Sequence, residues 1–325
     1  MKIYSISELL SRIEETICTN EITGTVQSMY DPINYSLTLH SKRVRPLLLL
    51  MSYNLFKENI SAVYTQAQAI EMFHTSTLLH DDLMDESPLR RGKPTVYLKW
   101  SANQAILSGD AMVVLANRMM SQASVDNITT VMDAFTKAQL EVCEGQQLDL
   151  EFESLPIVST EDYLKMISLK TAVLLACSLE IGALLAGANA ADVADLYLFG
   201  INIGLAFQIQ DDTLDTYGDV NTLGKQIGDD IYSGKKTILL IHAYQQADAA
   251  GRVELMDLIQ NTKLPLEEKV PKVIALYDRY DVHQYALDLI DKYNQRAFDA
   301  LDRLSAKYDV SMLKKFAYSL MKRNN

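Results

Sequence analysis

The segment LYLFGINIGLAFQIQDD, residues Leu196 to Asp212, is apolar on more than one helical face and ends in two aspartates. Helices that are apolar all round are usually buried inside a helical bundle. Helical spacing of apolar residues continues through most of the chain, and runs with the alternating pattern of strands are missing. The sequence therefore predicts an all-α fold: a single large helical bundle with central helices surrounded by others, in one domain over residues 1–325.

The longest apolar run, TAVLLACSLEIGALLAGANA (Thr171 to Ala190), contains Glu180 and several small residues. It is short of a clean membrane span, so a buried core helix and no transmembrane segment are expected. The amino terminus is acidic and amphipathic, without the basic start and apolar core of a signal peptide. Three widely spaced cysteines fit neither a disulfide framework nor a CxxC metal site, which favours a cytoplasmic protein.

The formal net charge of -12 argues against a nucleic-acid partner, because neutralising phosphates requires an excess of Lys and Arg. The hydrophobic fraction of 48% is that of an ordinary globular protein rather than a disordered one. A local basic cluster can still bind the phosphates of a small molecule.

Acidic residues are concentrated where two apolar helical segments end. Asp81 and Asp85 are four residues apart, which places them on one helical face about 6 Å apart along the axis. Like charges at this spacing repel, so a shared cation explains them, and hard carboxylate oxygens suit Mg²⁺. The segment FQIQDDTLD repeats the DDxxD spacing with Asp211 and Asp215. Two facing acidic patches joined by metals would form a polyphosphate site.

Basic residues accompany both acidic segments. Arg offers a planar fork to phosphate oxygens, and Lys offers a mobile point charge. Taken singly, such residues are more often part of the surface. Here they form three groups: Arg90 with Arg91; Lys42, Arg43 and Arg45 in SKRVRP; and Lys225, Lys235 and Lys236 in GKQIGDDIYSGKKT.

Four segments, SKRVRP, HTSTLLHDDLMDESPLRRGKPT, FQIQDDTLD and GKQIGDDIYSGKKT, resemble in order and interval the signature segments of the trans-isoprenyl diphosphate synthases, the polyprenyl synthetase family. The resemblance covers about Lys42 to Leu240. It implies the all-helical isoprenoid synthase fold, a homodimer, and a prenyltransferase that joins an allylic diphosphate to isopentenyl diphosphate with loss of pyrophosphate. The sequence differs from the family in having His40-Ser41 where Gly-Gly is usual before the basic run.

The resemblance also implies roles for individual residues. The expected ligands of about three Mg²⁺ ions are Asp81, Asp85, Asp211 and Asp215, with Asp82 and Asp212 in support. The residues expected to contact the allylic diphosphate are Arg90, Lys170, Lys225 and Lys235. Those expected to contact isopentenyl diphosphate are Lys42, Arg45, His74 and Arg91. A helix break at Lys170-Thr171 and the amide of Gln208 would direct oxygens toward the allylic cation; alternatively, Thr171 only stabilises a helix and Gln208 is a buried, hydrogen-bonded amide.

Other functions fit the sequence less well. His80-Asp81 is compatible with an HD-type phosphohydrolase, but none of the other four histidines lies in a suitable metal motif. A class I terpene cyclase shares the fold and first motif, yet its second metal site usually has an Asn/Ser/Glu pattern where this chain has DDTLD. A catalytically silent partner subunit would be expected to lack one acidic cluster.

Product length in the family depends on the depth of an apolar tunnel below the first acidic cluster. Ser76 and Thr77 lie about one turn before Asp81, and Phe73 lies about two turns before it. Short-chain members tend to have a bulky aromatic residue at the Ser76 position. A product of farnesyl or geranylgeranyl length or longer is therefore expected, with Phe73, Phe135 or Met132 as the tunnel floor.

Overall fold

The computed structural model describes residues 2–218 and 227–321 of the chain. Helices make up nearly all of its regular structure, which confirms the predicted all-α class. The first helices are α1 (Ile6–Thr19), α2 (Gln27–Thr38), α3 (Val44–Asn54), a 3-10 turn (Ile60–Val63), α4 (Tyr64–Met84), α5 (Val96–Lys99), α6 (Ala102–Met120) and α7 (Ile128–Glu153). The later ones are α8 (Thr160–Ile167), a π-helical turn (Ser168–Ala172), α9 (Val173–Ala186), α10 (Ala190–Tyr217), α11 (Asp229–Ser233), α12 (Ile238–Gln246), α13 (Ala249–Gln260), α14 (Leu266–Arg279), α15 (Val282–Ser305) and α16 (Ser311–Met321).

The chain divides into two compact units. Unit 1 comprises Met1–Gln139, Cys177–Tyr197 and Leu304–Met312, and unit 2 comprises Leu140–Ala176, Leu198–Arg303 and Leu313–Asn325. The first acidic segment and the basic run SKRVRP belong to unit 1, whereas the second acidic segment belongs to unit 2. The single domain expected over residues 1–325 stays a prediction.

In unit 1, α4 packs against α3 and α6. Four consecutive leucines, Leu47 to Leu50, are all buried on α3, which makes this helix part of the core. The first half of α4 is also buried, whereas Asp85, which caps its carboxyl end, is exposed. The core therefore fixes α4 and places its acidic end at the surface of the unit.

The core of unit 2 is formed by apolar residues from α8, α10 and the helices that follow α11. Leu239, Leu255, Val273 and Tyr277 are almost completely buried there. Two segments, Thr160–Ala186 and Ala190–Tyr217, are long and apolar enough to cross a membrane by length and composition. In the first, 78% of the apolar window is buried inside the protein, as expected of the core helix predicted around Thr171 to Ala190.

A short β-ribbon follows α4, although the sequence pattern contained no strand signal. Strands β1 (Leu89–Arg90) and β2 (Lys93–Pro94) pair antiparallel, with Arg90 opposite Lys93. The two turn residues, Arg91 and Gly92, have φ of 54° and 73°, as a two-residue type I′ hairpin requires. The ribbon escaped prediction because each strand has only two residues and an arginine occupies a turn position that usually favours Asn or Gly. It presents Arg90 and Arg91 close to the end of α4.

The predicted break at Lys170-Thr171 is present as the π-helical turn. Such turns leave backbone groups out of the regular α-helical pattern and are frequent at functional sites. Two glycines allow neighbouring helices to approach this turn closely. A Cβ atom on Gly145 of α7 would lie 2.2 Å from the Lys170 nitrogen, and one on Gly204 of α10 would lie 2.6 Å from the Ala172 Cα.

Candidate active site

The first acidic segment, Asp81 to Asp85, lies at the carboxyl end of α4. Asp81 is half-buried, Asp82 is buried and Asp85 is exposed. The helix macrodipole disfavours negative charge at this end, so the cluster needs compensating cations. Arg90 supplies one: its Nε donates to the Asp82 Oδ1 at 2.8 Å, and its Nη2 lies 3.5 Å from the Asp81 Oδ2.

Asp82 thus makes the closer contact with Arg90, and Asp81 and Asp85 on either side of it are less buried. Burial raises the pKa of Asp82, although Arg90 opposes this effect. The buried Asp82 carboxylate binds Arg90 and so helps to hold the hairpin that carries this arginine. This is compatible with the supporting role expected of Asp82.

The basic loop, Ser41 to Arg45, is held by Arg43 rather than by a flexible glycine pair. Arg43 has φ of 44° and is almost completely buried. Its guanidinium donates to the Glu14 Oε2 and to the Glu71 Oε1, each at 2.8 Å, and to the carbonyl oxygen of Leu37. Arg43 is thus a structural lock that ties the loop to α1 and α4.

The lock leaves Lys42 exposed and directs Arg45 toward α4. Arg45 Nη1 lies 3.0 Å from His74 Nε2. A guanidinium can only donate, so this nitrogen of His74 must be the acceptor and the ring is neutral. Burial, followed by the charges of Arg45 and Arg91, lowers the pKa of His74 well below its usual value.

Arg45 and Arg91 are both affected by burial and by neighbouring positive charges. Burial lowers the pKa of Arg45 to about 10, and Arg91 contributes to the shift. Burial and the neighbouring Arg43 and Arg90 also lower the pKa of Arg91. Among the residues that the structure describes, the buried Nε of Arg45 has no hydrogen-bond acceptor. An anionic ligand would satisfy both the charge and this donor.

The predicted chain-length residues lie together on α4. Phe73 and Ser76 are buried, and the Ser76 hydroxyl donates to the carbonyl oxygen of Phe73 at 2.7 Å. The Thr77 hydroxyl donates to the carbonyl oxygen of His74 at 2.8 Å. The ring of Phe73 packs edge-to-face on that of Phe135, with centroids 6.0 Å apart. Phe73 is three residues before Ser76 on α4, and the role of this ring pair as the tunnel floor stays a prediction.

The second acidic segment, Asp211 to Asp215, lies near the carboxyl end of α10, again the unfavourable end of a helix for anions. Asp211 is exposed and Asp212 is buried, so the segment repeats the pattern of the first one. The Asp215 Oδ2 accepts from the backbone nitrogen of Asp230 at 2.9 Å and so holds the start of α11. Its assignment as a metal ligand stays a prediction.

Two of the predicted phosphate-binding lysines of unit 2 are paired with acids. Lys170 Nζ donates to the Asp149 Oδ2 at 2.6 Å, and Lys235 Nζ lies 3.5 Å from the Asp230 Oδ1. Burial tends to lower the pKa of Lys235, but Asp212, Asp230 and Asp149 together raise it. Lys235 is therefore charged. Lys225 lies outside the described residues.

Thr171 and Gln208 contact each other, and their predicted role at the allylic cation stays a prediction. The Thr171 hydroxyl donates to the Gln208 Oε1 at 3.1 Å, and the Gln208 Nε2 donates to the Asp212 Oδ1 at 2.9 Å. Gln208 is thus a partly buried, hydrogen-bonded amide, as the alternative interpretation of this residue expected. One of its partners is Thr171, the residue proposed to act with it on the cation. Burial raises the pKa of Asp212 to about 6.

The sequence predicted no specific partner for three polar residues of this region. Asp149 pairs with Lys170, Tyr163 donates its hydroxyl to the Asp212 Oδ2 at 2.7 Å, and Asp230 pairs with Lys235. Gly145 offered one sequence signal, since a glycine inside a helix often marks a close approach and Asp149 follows one turn later. Tyr163 gave no signal, because a tyrosine in an amphipathic helix reads as ordinary core.

The donor set fits a hard divalent cation. Exposed or half-buried carboxylates at helix carboxyl ends offer oxygen ligands where positive charge is most needed. Across residues 2–218 and 227–321, no three acidic, histidine or cysteine side chains form a ready-made metal site. Mg²⁺ commonly takes only one or two carboxylates and completes its shell with water and substrate phosphates, so this arrangement is compatible with it.

Comparisons with known proteins identify the relatives of this chain. The family model for polyprenyl synthetase matches residues 26–277, which is most of the chain. The chain belongs to the polyprenyl synthetase family. A geranylgeranyl diphosphate synthase of Sulfolobus acidocaldarius is 37% identical over 94% of this chain and 92% of its own length. A short chain isoprenyl diphosphate synthase of Methanocaldococcus jannaschii is 40% identical over 80% of this chain and 79% of its own length.

A crystal structure of a geranylgeranyl pyrophosphate synthase superposes with a TM-score of 0.92 at 36% identity, covering 99% of this chain and 100% of that one. As a polyprenyl synthetase, the protein has the isoprenoid synthase fold and is a prenyltransferase of isoprenoid biosynthesis. Family membership implies a requirement for a divalent metal. A terpene cyclase or a silent subunit finds no support in these relatives.

Proposed function

We propose that this polyprenyl synthetase condenses isopentenyl diphosphate with an allylic diphosphate (dimethylallyl, geranyl or farnesyl) to give an all-trans product of geranylgeranyl length. The observation that carries the proposal is the buried Nε of Arg45, which has no acceptor among the described residues, in a chain whose two acidic segments both end apolar helices. A metal–diphosphate complex offers cations to the carboxylates and phosphate oxygens to the basic side chains, so it can bind both kinds of residue.

The cofactor we propose is Mg²⁺, at about three ions. Its proposed ligands are Asp81, Asp85, Asp211 and Asp215, so that each acidic segment carries metal ions that bind substrate diphosphate. Bound there, the metal would neutralise charge that develops on the departing pyrophosphate. Asp82 and Asp212 support the segments through Arg90, Tyr163 and Gln208.

The basic cluster of unit 1 suits the diphosphate of isopentenyl diphosphate. Arg45 has a buried Nε without a protein acceptor, Lys42 is exposed beside it, and neutral His74 orients Arg45. Arg91, in the hairpin turn, donates to the carbonyl oxygen of Leu39 at 3.3 Å and so stays near the basic loop. These groups bind the substrate that keeps its diphosphate throughout the reaction.

The remaining contacts are proposed for the allylic partner. Arg90, Lys170, Lys225 and Lys235 would bind its diphosphate and stabilise the leaving group most strongly in the transition state. The oxygens of Thr171 and Gln208, at the π-helical turn, would face the allylic cation. The proton lost after carbon–carbon bond formation passes to the departing pyrophosphate, so a separate side-chain base is unnecessary.

The product length follows from the α4 residues. The small Ser76 side chain lets an isoprenoid tail pass, and the edge-to-face pair of Phe73 and Phe135 stops it one turn further on. The relatives named as geranylgeranyl synthases support this choice within the expected range.

We further propose a cytoplasmic homodimer without a transmembrane segment or nucleic-acid partner. Support for the dimer comes from α6, which exposes apolar side chains: Ile106, Leu107 and Val114. Exposed apolar side chains repeated along one helix are typical of a surface that a second chain covers.

Incubation of the purified protein with Mg²⁺, isopentenyl diphosphate and each allylic diphosphate tests the proposal. We expect consumption of isopentenyl diphosphate and a product of geranylgeranyl length by chromatography. Hydrocarbon formation without use of isopentenyl diphosphate would instead identify a cyclase, and release of phosphate alone would identify a hydrolase.

Variants test the acidic segments separately. Asp81→Ala and Asp211→Ala should each lower turnover by orders of magnitude while leaving the helical circular dichroism unchanged, because each removes a charge that is used mainly in the transition state. Asp257→Ala, which removes an exposed acid of α13, is the matched control and should retain normal turnover. Near-normal rates for either of the first two variants would refute their assignment.

A further inference from the structure

Tyr163 is a buried polar residue that the proposed chemistry does not use. It lies on α8, one helical turn after the capping Ser159, and its side chain is 1% exposed. Its hydroxyl donates to the Asp212 Oδ2 at 2.7 Å. Burying a phenol among apolar residues is costly unless its hydroxyl is bonded, so this contact fixes the side chain.

The contact is one end of a hydrogen-bond chain within unit 2. Asp212 accepts from Tyr163 through Oδ2 and from the Gln208 Nε2 through Oδ1, at 2.9 Å. The Gln208 Oε1 in turn accepts from the Thr171 hydroxyl at 3.1 Å. Donors therefore point in one direction from Thr171 to Gln208 to Asp212, and Tyr163 closes the chain from the other side.

This chain determines which way the Gln208 amide faces. A flip of the Gln208 amide would exchange its Nε2 and Oε1 atoms. The Gln208 Oε1 would then lie against the Asp212 Oδ1, and two acceptor oxygens would face each other. The same flip would remove the acceptor of the Thr171 hydroxyl. Only the observed orientation of the amide preserves the hydrogen bonds of Thr171, Gln208 and Asp212. In this orientation the Thr171 hydroxyl donates its proton to Gln208, and the lone pairs of the Thr171 oxygen remain available.

The geometry points to Tyr163 as a positioning residue: through Asp212 it orients the Gln208 amide and the Thr171 oxygen that act on the allylic cation. The inference rests on the proposed function, because it assigns Tyr163 a part in the ionisation step. Tyr163 itself does not contact the substrate. Its contribution is to hold Asp212 so that the amide cannot turn.

The test is Tyr163→Phe, which removes one oxygen and keeps the ring. We expect kcat to fall about tenfold, the loss typical of one hydrogen bond to a charged group, while the KM for isopentenyl diphosphate stays within about twofold. Tyr277→Phe is the matched control, since Tyr277 is equally buried in the same unit and takes no part in this chain. It should leave kcat unchanged.

A double variant distinguishes positioning from a general loss of stability. If Tyr163 acts through Gln208, then Tyr163→Phe should lower kcat by less than about twofold once Gln208→Leu is present. Independent effects would multiply instead. Thermal melting of each variant shows whether the fold is retained.

The outcomes are separable from those that test the function itself. A wild-type protein that does not consume isopentenyl diphosphate would refute the proposed function. An active wild type with unchanged kcat in Tyr163→Phe, a similar loss in Tyr277→Phe, or multiplicative effects in the double variant would each overturn the role of Tyr163.

Discussion

Replacing Arg43 by methionine should both destabilise the protein and weaken one of its two substrate sites. The guanidinium is 2% exposed and pairs at 2.8 Å with Glu14 and with Glu71, of which Glu71 is itself 1% exposed. Methionine fills a similar volume but leaves Glu71 charged and buried without its arginine. Breaking a buried ion pair in this way costs about 3–5 kcal/mol.

Urea unfolding followed by circular dichroism measures the loss, with Arg279→Met as the control. Arg279 pairs with Glu254 at 3.2 Å, but both side chains are more than half exposed, so removing this pair should cost much less than removing Arg43. Equal effects of the two substitutions, or a loss below about 1 kcal/mol in Arg43→Met, would refute the interpretation of Arg43 as a buried lock.

The same variant has a kinetic readout. Without the lock, the basic loop no longer fixes Lys42 and Arg45, so the KM for isopentenyl diphosphate should rise about tenfold, equivalent to one charge-assisted hydrogen bond. The KM for the allylic diphosphate should stay unchanged, because its proposed contacts lie elsewhere. An equal rise in both KM values would indicate general disorder rather than a positioned loop.

Three further predictions concern α7 and α4. Gly145→Ala places a Cβ 2.2 Å from the Lys170 backbone nitrogen, and only a shift of the π-helical turn can relieve this clash. Turnover should therefore fall at least tenfold while helicity is retained. Unchanged turnover would contradict the close packing. The pKa of His74 is lowered in the folded protein, so below about pH 6.5 the unfolded chain binds a proton that the folded chain does not. The free energy of unfolding should therefore decrease by up to about 1.4 kcal/mol for each pH unit below that value. Urea unfolding at pH 7.5 and 5.5 measures this loss, and His74→Gln should reduce it; an equal pH dependence in both proteins would count against it. Ser76→Phe should shorten the product on chromatography, whereas an unchanged chain length would exclude the tunnel along α4.

The sequence was sufficient to predict the fold class. Leu196 to Asp212 is too apolar for a surface helix, and the same helical spacing continues elsewhere, so an all-α bundle was the arrangement that buried these residues. The two DDxxD segments and their basic neighbours could also be identified as a candidate site from the sequence. Like charges at helical spacing repel, and a shared cation explains why they occur together.

Roles that depend on distant partners could not be read from the sequence. Arg43 and Arg45 are the same residue type two positions apart, yet Arg43 is locked by Glu14 and Glu71 while Arg45 bonds His74. Pairs such as Tyr163 with Asp212 join helices far apart in the chain. Only the packing of the folded chain decides which polar residue meets which.

The central claim is that each acidic segment binds magnesium ions that coordinate a substrate diphosphate. A crystal structure of the protein with Mg²⁺ and a non-ionising allylic diphosphate analogue tests it most directly. We predict carboxylate oxygens of Asp81 and of Asp211 about 2.1 Å from magnesium ions that also coordinate diphosphate oxygens. Metal bound at only one segment, or a diphosphate held without either aspartate, would contradict the account.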